Sequence, residues 1–395
     1  VISALNPSHE PSYLPGFESP VLSERTHVEW LPATTLAPET FTRSLALFSL
    51  VAITGPCAFF IVSRRGTLRA ILWFIIVNSV VLAIAGLFFK LAGSTKILGR
   101  FEPADARYFF STFTYKNHWG AYCLLTLGVI GALTRYYMEC ARDDSRRSRS
   151  PVPVLILCSL LIGLTVPLSG SRSCSILYGL MLVCYIVQLC AHALPESLNR
   201  TQKFLVSSFA GLGLCLLLLL TSLAMHKETR DEMVRVTSRQ IDNLKEGQLE
   251  TRFYISRDTL KMYLEKPIWG WGLGTYRFVI NDPGRFLGDE HEYAYIYAHN
   301  DWLQYMAETG VVGILLLAML FAAPYILHRL KGMRNPVSSW LWGTVFLILS
   351  YSIVEFPCRT PAVSSLLTIL IAAATKYSLL EQRHGRWSRR ESERI

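Results

Sequence analysis

The chain has 395 residues, of which 51% are apolar, 12% aromatic and only 17% charged. That charged share lies below the roughly 25% of soluble domains, which argues against an ordinary water-soluble globule. The net charge of +10 is a weak pointer to nucleic acid, because the basic residues sit in separated loops; it fits a cytoplasmic surface facing anionic lipid.

The apolar residues gather into blocks close to the ~20 residues needed to cross ~30 Å of hydrocarbon. In chain order there are nine: about Phe41–Val62, Leu68–Ala92, Asn117–Met138, Val152–Leu168, Ser173–His192, Phe204–Met225, Asp301–Leu327, Ser338–Glu355 and Ala362–Leu379. The fourth and fifth are separated only by Ser169-Gly170-Ser171-Arg172, which reads as a tight hairpin because the combined run is too long for one span. The pattern therefore predicts an all-α fold, a polytopic membrane helical bundle of about nine spans with one large, partly helical outer loop.

Every second loop is basic. Ser63–Arg69, Arg135–Ser150, Leu194–Lys203, His328–Asn335 and the tail from Lys376 carry three, five, two, three and six Lys/Arg. Short basic loops stay in the cytoplasm. Residues 1–40 then form an outer segment, 41–225 six spans, 226–300 the outer loop, 301–380 three spans and 381–395 a basic cytoplasmic tail. The first residue is Val1 and no signal peptide precedes the first span, so the expectation is a fragment lacking about three helices. The nine cysteines lie mostly inside apolar blocks, show no CxxC spacing, and read as small apolar fillers.

The polar residues that could carry chemistry cluster at the outer side. Lys116-Asn117-His118 opens a span and Glu355 closes one, at block edges where solvation is cheap. Arg172 follows two serines and a glycine, which leave room for an anion that a guanidinium fork would suit; the plain alternative is a snorkelling anchor. The outer loop carries eleven Lys/Arg. Within it, Arg252, Ser256, Thr259 and Tyr263 share a helical face beside an apolar stripe of Ile255 and Met262, which suggests an amphipathic helix near the interface. Pro267 ends that helix. Gly270-Trp271-Gly272-Leu273-Gly274 follows, better read as turn geometry than as a phosphate loop. Asp289-Glu290-His291-Glu292 lacks metal-ligand spacing, so no metal is expected. His299 stands where the loop enters the next span. It could accept a proton at the lipid–water boundary, or merely precede a helix cap at Asn300 or Asp301.

The run from Leu264-Glu265-Lys266-Pro267-Ile268-Trp269-Gly270-Trp271-Gly272 to Tyr276, then Ala298-His299-Asn300-Asp301-Trp302-Leu303-Gln304 and Glu308-Thr309-Gly310-Val311-Val312-Gly313, resembles the signature region of the O-antigen ligase/polymerase superfamily. Ser171-Arg172, Thr251-Arg252 and Tyr115-Lys116-Asn117-His118 resemble further motifs of that family. The resemblance implies a bacterial inner-membrane, multi-pass glycosyltransferase of surface-polysaccharide biosynthesis. It implies an undecaprenyl-diphosphate-linked glycan as donor, a glycan, lipid A-core or protein as acceptor, and no cofactor. His299 would be the general base. Arg172 and Arg252 would hold the diphosphate, with Arg257 able to replace Arg252. The other classes consistent with the residues are a transporter or flippase for a lipid-linked glycan, against which no internal repeat is apparent, and a membrane sensor, for which no output domain follows Leu379.

Overall fold

The computed structural model describes residues 6–12, 21–28, 31, 34–35, 38–103, 109–143, 150–194, 197–225, 227, 230–231, 234–235, 237–238, 242, 251–282, 286, 295–330 and 335–392. Each of the nine apolar blocks forms a helix. They are α1 (Pro38–Ile61), α2 (Arg65–Leu91), α3 (Lys116–Asp143), α4 (Val152–Leu168), α5 (Arg172–Ala193), α6 (Arg200–Met225), α9 (Asp301–Leu330), α10 (Pro336–Tyr351) and α11 (Pro361–Ser392). Two more, α7 (Thr251–Glu265) and the single turn α8 (Tyr276–Val279), lie in the large loop.

Among the described residues six helices are long and apolar enough to cross a membrane: α1, α2, α5, α6, α9 and α11. The count of nine spans is therefore not reproduced, for two physical reasons. Helices α4 and α10, with 17 and 16 residues, reach only about 25 Å at ~1.5 Å per residue, short of ~30 Å. Helix α3 is long enough, but its polar residues leave it less apolar than the six, and every residue from Asn117 to Thr134 is buried. A helix wrapped by protein can carry Asn117, His118, Thr126 and Thr134 at positions where a lipid-facing helix could not.

A second departure concerns the all-α expectation. Three short strands, β1 (Pro7–Ser12), β2 (Val21–Glu24) and β3 (Thr34–Thr35), form a small sheet in the order β2-β1-β3, with β1 antiparallel to β2 and parallel to β3.

The chain divides into two compact units. One contains residues 1–55, 242–327 and 349–365. Its core joins Leu22 of β2 to Ile255 and Met262 of α7, to Trp271, Tyr276, Phe278, Val279 and Ile280, and to Ala298 and Ala307. The apolar stripe of α7 thus packs inside the protein instead of resting on a membrane interface. Thr259, on the adjoining face, is also buried and shares a 2.8 Å hydrogen bond with the Tyr276 hydroxyl.

The other unit contains residues 56–241, 328–348 and 366–395. Here α3 packs against α2, α4 and α5, and α6 against α4 and α5. Helix α2 shows the two faces plainly. Leu68, Leu72, Ile75, Ile76, Ser79 and Ala83 are buried, while Phe74, Val77, Val81, Ile84 and Phe88 form an exposed stripe at helical spacing. Phe204, Phe209, Leu212, Leu216 and Leu220 of α6 are likewise exposed. Apolar surface of that extent is tolerated where lipid, not water, is the neighbour.

Candidate active site

The sequence run from Pro267 to Gly274 is explained by a break in α9. At Gly310 the backbone takes φ 65° and ψ −172°, so carbonyls of the preceding turn lose their partners on their own helix. The glycine-rich turn supplies replacements. Trp271 N–H donates to the Ala307 carbonyl (3.1 Å) and Gly272 N–H to the Glu308 carbonyl (2.8 Å), while Val311 N–H donates to the Pro267 carbonyl (2.8 Å). The two backbones approach so closely that a Cβ on Gly310 would lie 2.1 Å from the Ile268 carbonyl oxygen, and one on Gly270 2.4 Å from the Glu308 carbonyl carbon. Both glycines also have positive φ, so both the conformation and the space demand glycine. Two distant sequence motifs are thereby locked together just below the loop that carries His299.

His299 precedes α9, whose N-cap is Asn300: its Oδ1 accepts from Leu303 N–H at 3.0 Å. The cap reading is correct, but it does not account for the histidine. His299 has φ 51°, the left-handed region that a non-glycine residue enters at a cost. Its ring meets the edge of Phe356 at 4.8 Å, and Phe356 stacks on Tyr297 at 4.6 Å. Its Nδ1 lies 3.6 Å from Glu355 Oε2, slightly longer than a hydrogen bond. The side chain is 30% exposed, so it is open to solvent.

Glu355 is the residue that organises the site. It is 2% exposed and receives Arg252 Nη2 on Oε1 at 2.5 Å, while Arg252 Nη1 donates to the Val354 carbonyl at 3.0 Å. Burial alone would raise the Glu355 carboxyl. The contact with His299 and the Arg252 charge outweigh it and hold the group below the usual carboxylate range. One buried carboxylate thus faces the histidine and the loop arginine together.

The turn bearing Glu355 is fixed from below. Asp301 N–H donates to the Ser352 carbonyl (2.9 Å), and Asp301 Oδ2 accepts from Cys358 N–H (2.9 Å). Arg359 Nε lies 3.4 Å from Asp301 Oδ1 and its Nη1 3.2 Å from Glu308 Oε2. Glu308 further accepts from Gly274 N–H and from Gln304 Nε2, both at 3.0 Å. Burial would lower the Arg359 guanidinium, but Glu308, Tyr305 and Asp301 outweigh it and keep it charged.

The other arginines take different places. Arg257 pairs with Asp258 at 3.0 Å and lies 5.2 Å over the Tyr254 ring. Burial would raise the Asp258 carboxyl; Arg257 and Lys261 lower it below its ordinary value. The structure therefore brings Arg252, and not Arg257, to the carboxylate that His299 faces. Arg172 belongs to the other unit, where it opens α5. Gly170 has φ 80°, so the hairpin turns in four residues as the sequence suggests. Ser171 caps α5 and donates to Asn117 Oδ1 at 2.6 Å, which joins the Asn117 motif to the Arg172 motif. Arg172 Nη1 itself donates to Thr237 Oγ1 at 3.2 Å. The acidic run 289–292 lies outside the described residues, as does most of the charged segment 227–249. Trp271 and Tyr276 are core residues, each 1% exposed.

Sequence reasoning noted Glu355 only as the end of a span and missed Asp301, Glu308 and Arg359 as a cluster. The available signal was charge at a membrane boundary: Glu355 and Arg359 flank a turn of only a few residues between two apolar helices, where an ionisable pair is a site by default.

Fold and site together define a multi-pass membrane protein with an arginine–carboxylate–imidazole site where a loop meets a helix start. Residues 157–318 match the family model described as O-antigen ligase, a stretch that includes Arg172, Arg252, Arg257 and His299. The match supports placing the chain in the O-antigen ligase/polymerase superfamily, in agreement with the resemblance of its motifs. No curated protein matches the chain.

Proposed function

We propose that the protein transfers a glycan from an undecaprenyl-diphosphate-linked donor to an acceptor hydroxyl at the periplasmic face of the bacterial inner membrane, as a ligase or polymerase of surface polysaccharide. The observation that carries this reading is the left-handed His299, set against the buried Glu355 that also holds Arg252.

The chemistry follows from charge. Attack of an acceptor oxygen on the anomeric carbon breaks the bond from that carbon to the diphosphate oxygen, and negative charge grows on the departing lipid diphosphate. Arg252 meets that charge where it develops, and the family resemblance gives Arg172 the same role. A neutral His299 takes the acceptor's proton, and the Glu355 carboxylate stabilises the imidazolium that results. Because guanidinium groups supply the positive charge, transfer by purified protein in lipid vesicles should be unchanged by EDTA. A wild type that loses activity in chelator would require a different scheme.

The functional test is expression of the gene in a ligase-null and in a polymerase-null strain. Restored glycan-capped lipid A identifies a ligase, and restored long chains identify a polymerase. Neither phenotype would refute glycan transfer. Orientation is tested separately by cysteine labelling in a cysteine-free background: an impermeant reagent applied from outside should modify a probe at Gln248 and spare one at Ser388. The reverse pattern would put the site on the cytoplasmic side.

A further inference from the structure

The start of α2 carries Arg64, Arg65 and Arg69, at the end that the basic loop Ser63–Arg69 assigns to the cytoplasmic side. Arg69 Nη1 donates to the Tyr136 hydroxyl of α3 at 2.9 Å, and its guanidinium lies 5.0 Å over the same ring. One turn further, Trp73 Nε1 donates to the Tyr137 hydroxyl, also at 2.9 Å. Both partners are neutral. Among the described residues none of Arg64, Arg65 and Arg69 meets a carboxylate, and the Nε atoms of Arg65 and Arg69 have no acceptor. The helix start brings no negative charge either. Its first turn holds no acidic residue, no side chain caps it, and a Cβ on Gly66 would find nothing within 4 Å.

A long helix offers its first N–H groups and the positive end of its dipole at this point, and three guanidinium groups add to that charge. The surplus calls for an anion with several oxygens, and phosphate suits the guanidinium fork. The surface next to it decides the kind of phosphate. Arg65, Arg69, Trp73 and Val77 follow at four-residue spacing along one ridge of α2. That ridge runs into the exposed stripe of Val77, Val81, Ile84 and Phe88. Cations at one end and lipid-facing surface along the rest fit a phosphate ester with acyl chains better than a soluble phosphate. Basic clefts between membrane helices on the cytoplasmic side hold anionic headgroups in this way. Charge also selects among lipids. A zwitterionic headgroup brings a cation of its own to the three arginines, and an anionic one does not.

We propose that this end of α2 and α3 binds an anionic phospholipid of the surrounding bilayer, with its phosphate at Arg64, Arg65 and Arg69 over the start of α2 and an acyl chain along Trp73 and Val77. Tyr136 and Tyr137 hold Arg69 and Trp73 in place, so the bound lipid fastens the lipid-facing helix α2 to the buried helix α3. The site is independent of the glycosyl-transfer reading and shares no residue with it.

The test uses purified protein in phosphatidylcholine vesicles to which phosphatidylglycerol with dibrominated chains is added. Bromine quenches a tryptophan only on contact, and the difference between the wild type and Trp73→Phe isolates Trp73 among the nine tryptophans. Dibrominated phosphatidylcholine at the same mole fractions is the neutral arm. The Trp73 signal should be quenched at a lower mole fraction of phosphatidylglycerol than of phosphatidylcholine, and the ratio of the two measures the preference. Arg65→Gln should reduce that preference about fivefold, and Arg64→Gln with Arg65→Gln about 25-fold, on the usual contribution of a basic residue near an anionic surface. Arg200→Gln, at the exposed start of α6, should leave it unchanged. Should Arg65→Gln misfold, Arg64→Gln, at an exposed position, reads the same fivefold loss. Equal quenching by the two lipids overturns the proposal, as does an equal loss of preference in Arg200→Gln. If inorganic phosphate abolishes the preference while sodium chloride of the same ionic strength does not, the arginines form a site for a free anion and the lipid assignment falls.

Discussion

Replacing His299 by alanine should abolish glycan transfer while leaving donor binding intact. A general base contributes about 10²–10⁴ in rate, and on the proposed scheme the arginines, not the imidazole, hold the diphosphate. The competing explanation is that His299 only introduces a helix. Its positive φ allows the two to be separated. His299→Gly and His299→Asn both suit left-handed backbone, so they should fold at least as well as the wild type and still fail to transfer. Added imidazole should partly restore His299→Gly, since it can occupy the vacated space beside Phe356 and Glu355. Normal turnover in His299→Gly would remove the histidine from the mechanism.

The pH profile carries a matching expectation. Glu355 has its folded-state pKa depressed. Its contribution to stability is therefore present above the ordinary carboxylate value and is lost only as pH falls through the depressed one. Mild acidification leaves Glu355 ionised, whereas a general base acts only while it is deprotonated. Transfer should thus fall on the acid side reversibly, with no loss of folded protein by thermal melting. A loss of activity that tracked unfolding would mean that Glu355, and not His299, had been titrated. With Glu355→Gln the acid limb should shift to lower pH, because the anion that favours imidazolium is gone.

What the sequence made legible was whatever depends on local pattern. Apolar block lengths placed eight helices to within about five residues and the start of the ninth, whose helix runs 13 residues past the block to Ser392; the four-residue Ser169–Arg172 hairpin was required by length alone, and Pro267 marked the end of α7. What depends on distant partners was not legible. The stripe of Ile255 and Met262 has the same periodicity whether it faces lipid or a core; only Trp271, Tyr276 and Ala307, brought in by the Gly310 break, decide for the core. The β1 strand, Pro-Ser-His-Glu-Pro-Ser, lacks any apolar alternation, and it exists because β2 and β3 pair with it. Glu355 lies 56 residues beyond His299 and 103 beyond Arg252, so nothing local ties the three together. The motifs indicated which residue types act. The geometry added the carboxylate they share.

Arg252→Ala should lower transfer by about 10²- to 10³-fold, the size of effect seen when one preorganised donor to a developing anion is removed. Arg252→Lys should recover only part, because it loses the fork that meets two oxygens at once. The simple alanine variant is ambiguous by itself, since it strands Glu355, 2% exposed, without its cation, and an uncompensated buried charge destabilises a fold. The double variant Arg252→Ala, Glu355→Gln resolves this. It removes the stranded charge, so melting temperature should return toward the wild type. If Arg252 served only to neutralise Glu355, the double variant would transfer as well as Glu355→Gln alone. If Arg252 meets the departing diphosphate, the double variant, although stable, falls about 10²-fold or more below Glu355→Gln. Arg172→Ala should show the same loss, with melting temperature measured alongside transfer. A fully active Arg252→Ala with a dead Arg257→Ala would move the diphosphate role to Arg257. Full activity after removal of all three arginines would end the diphosphate clamp altogether.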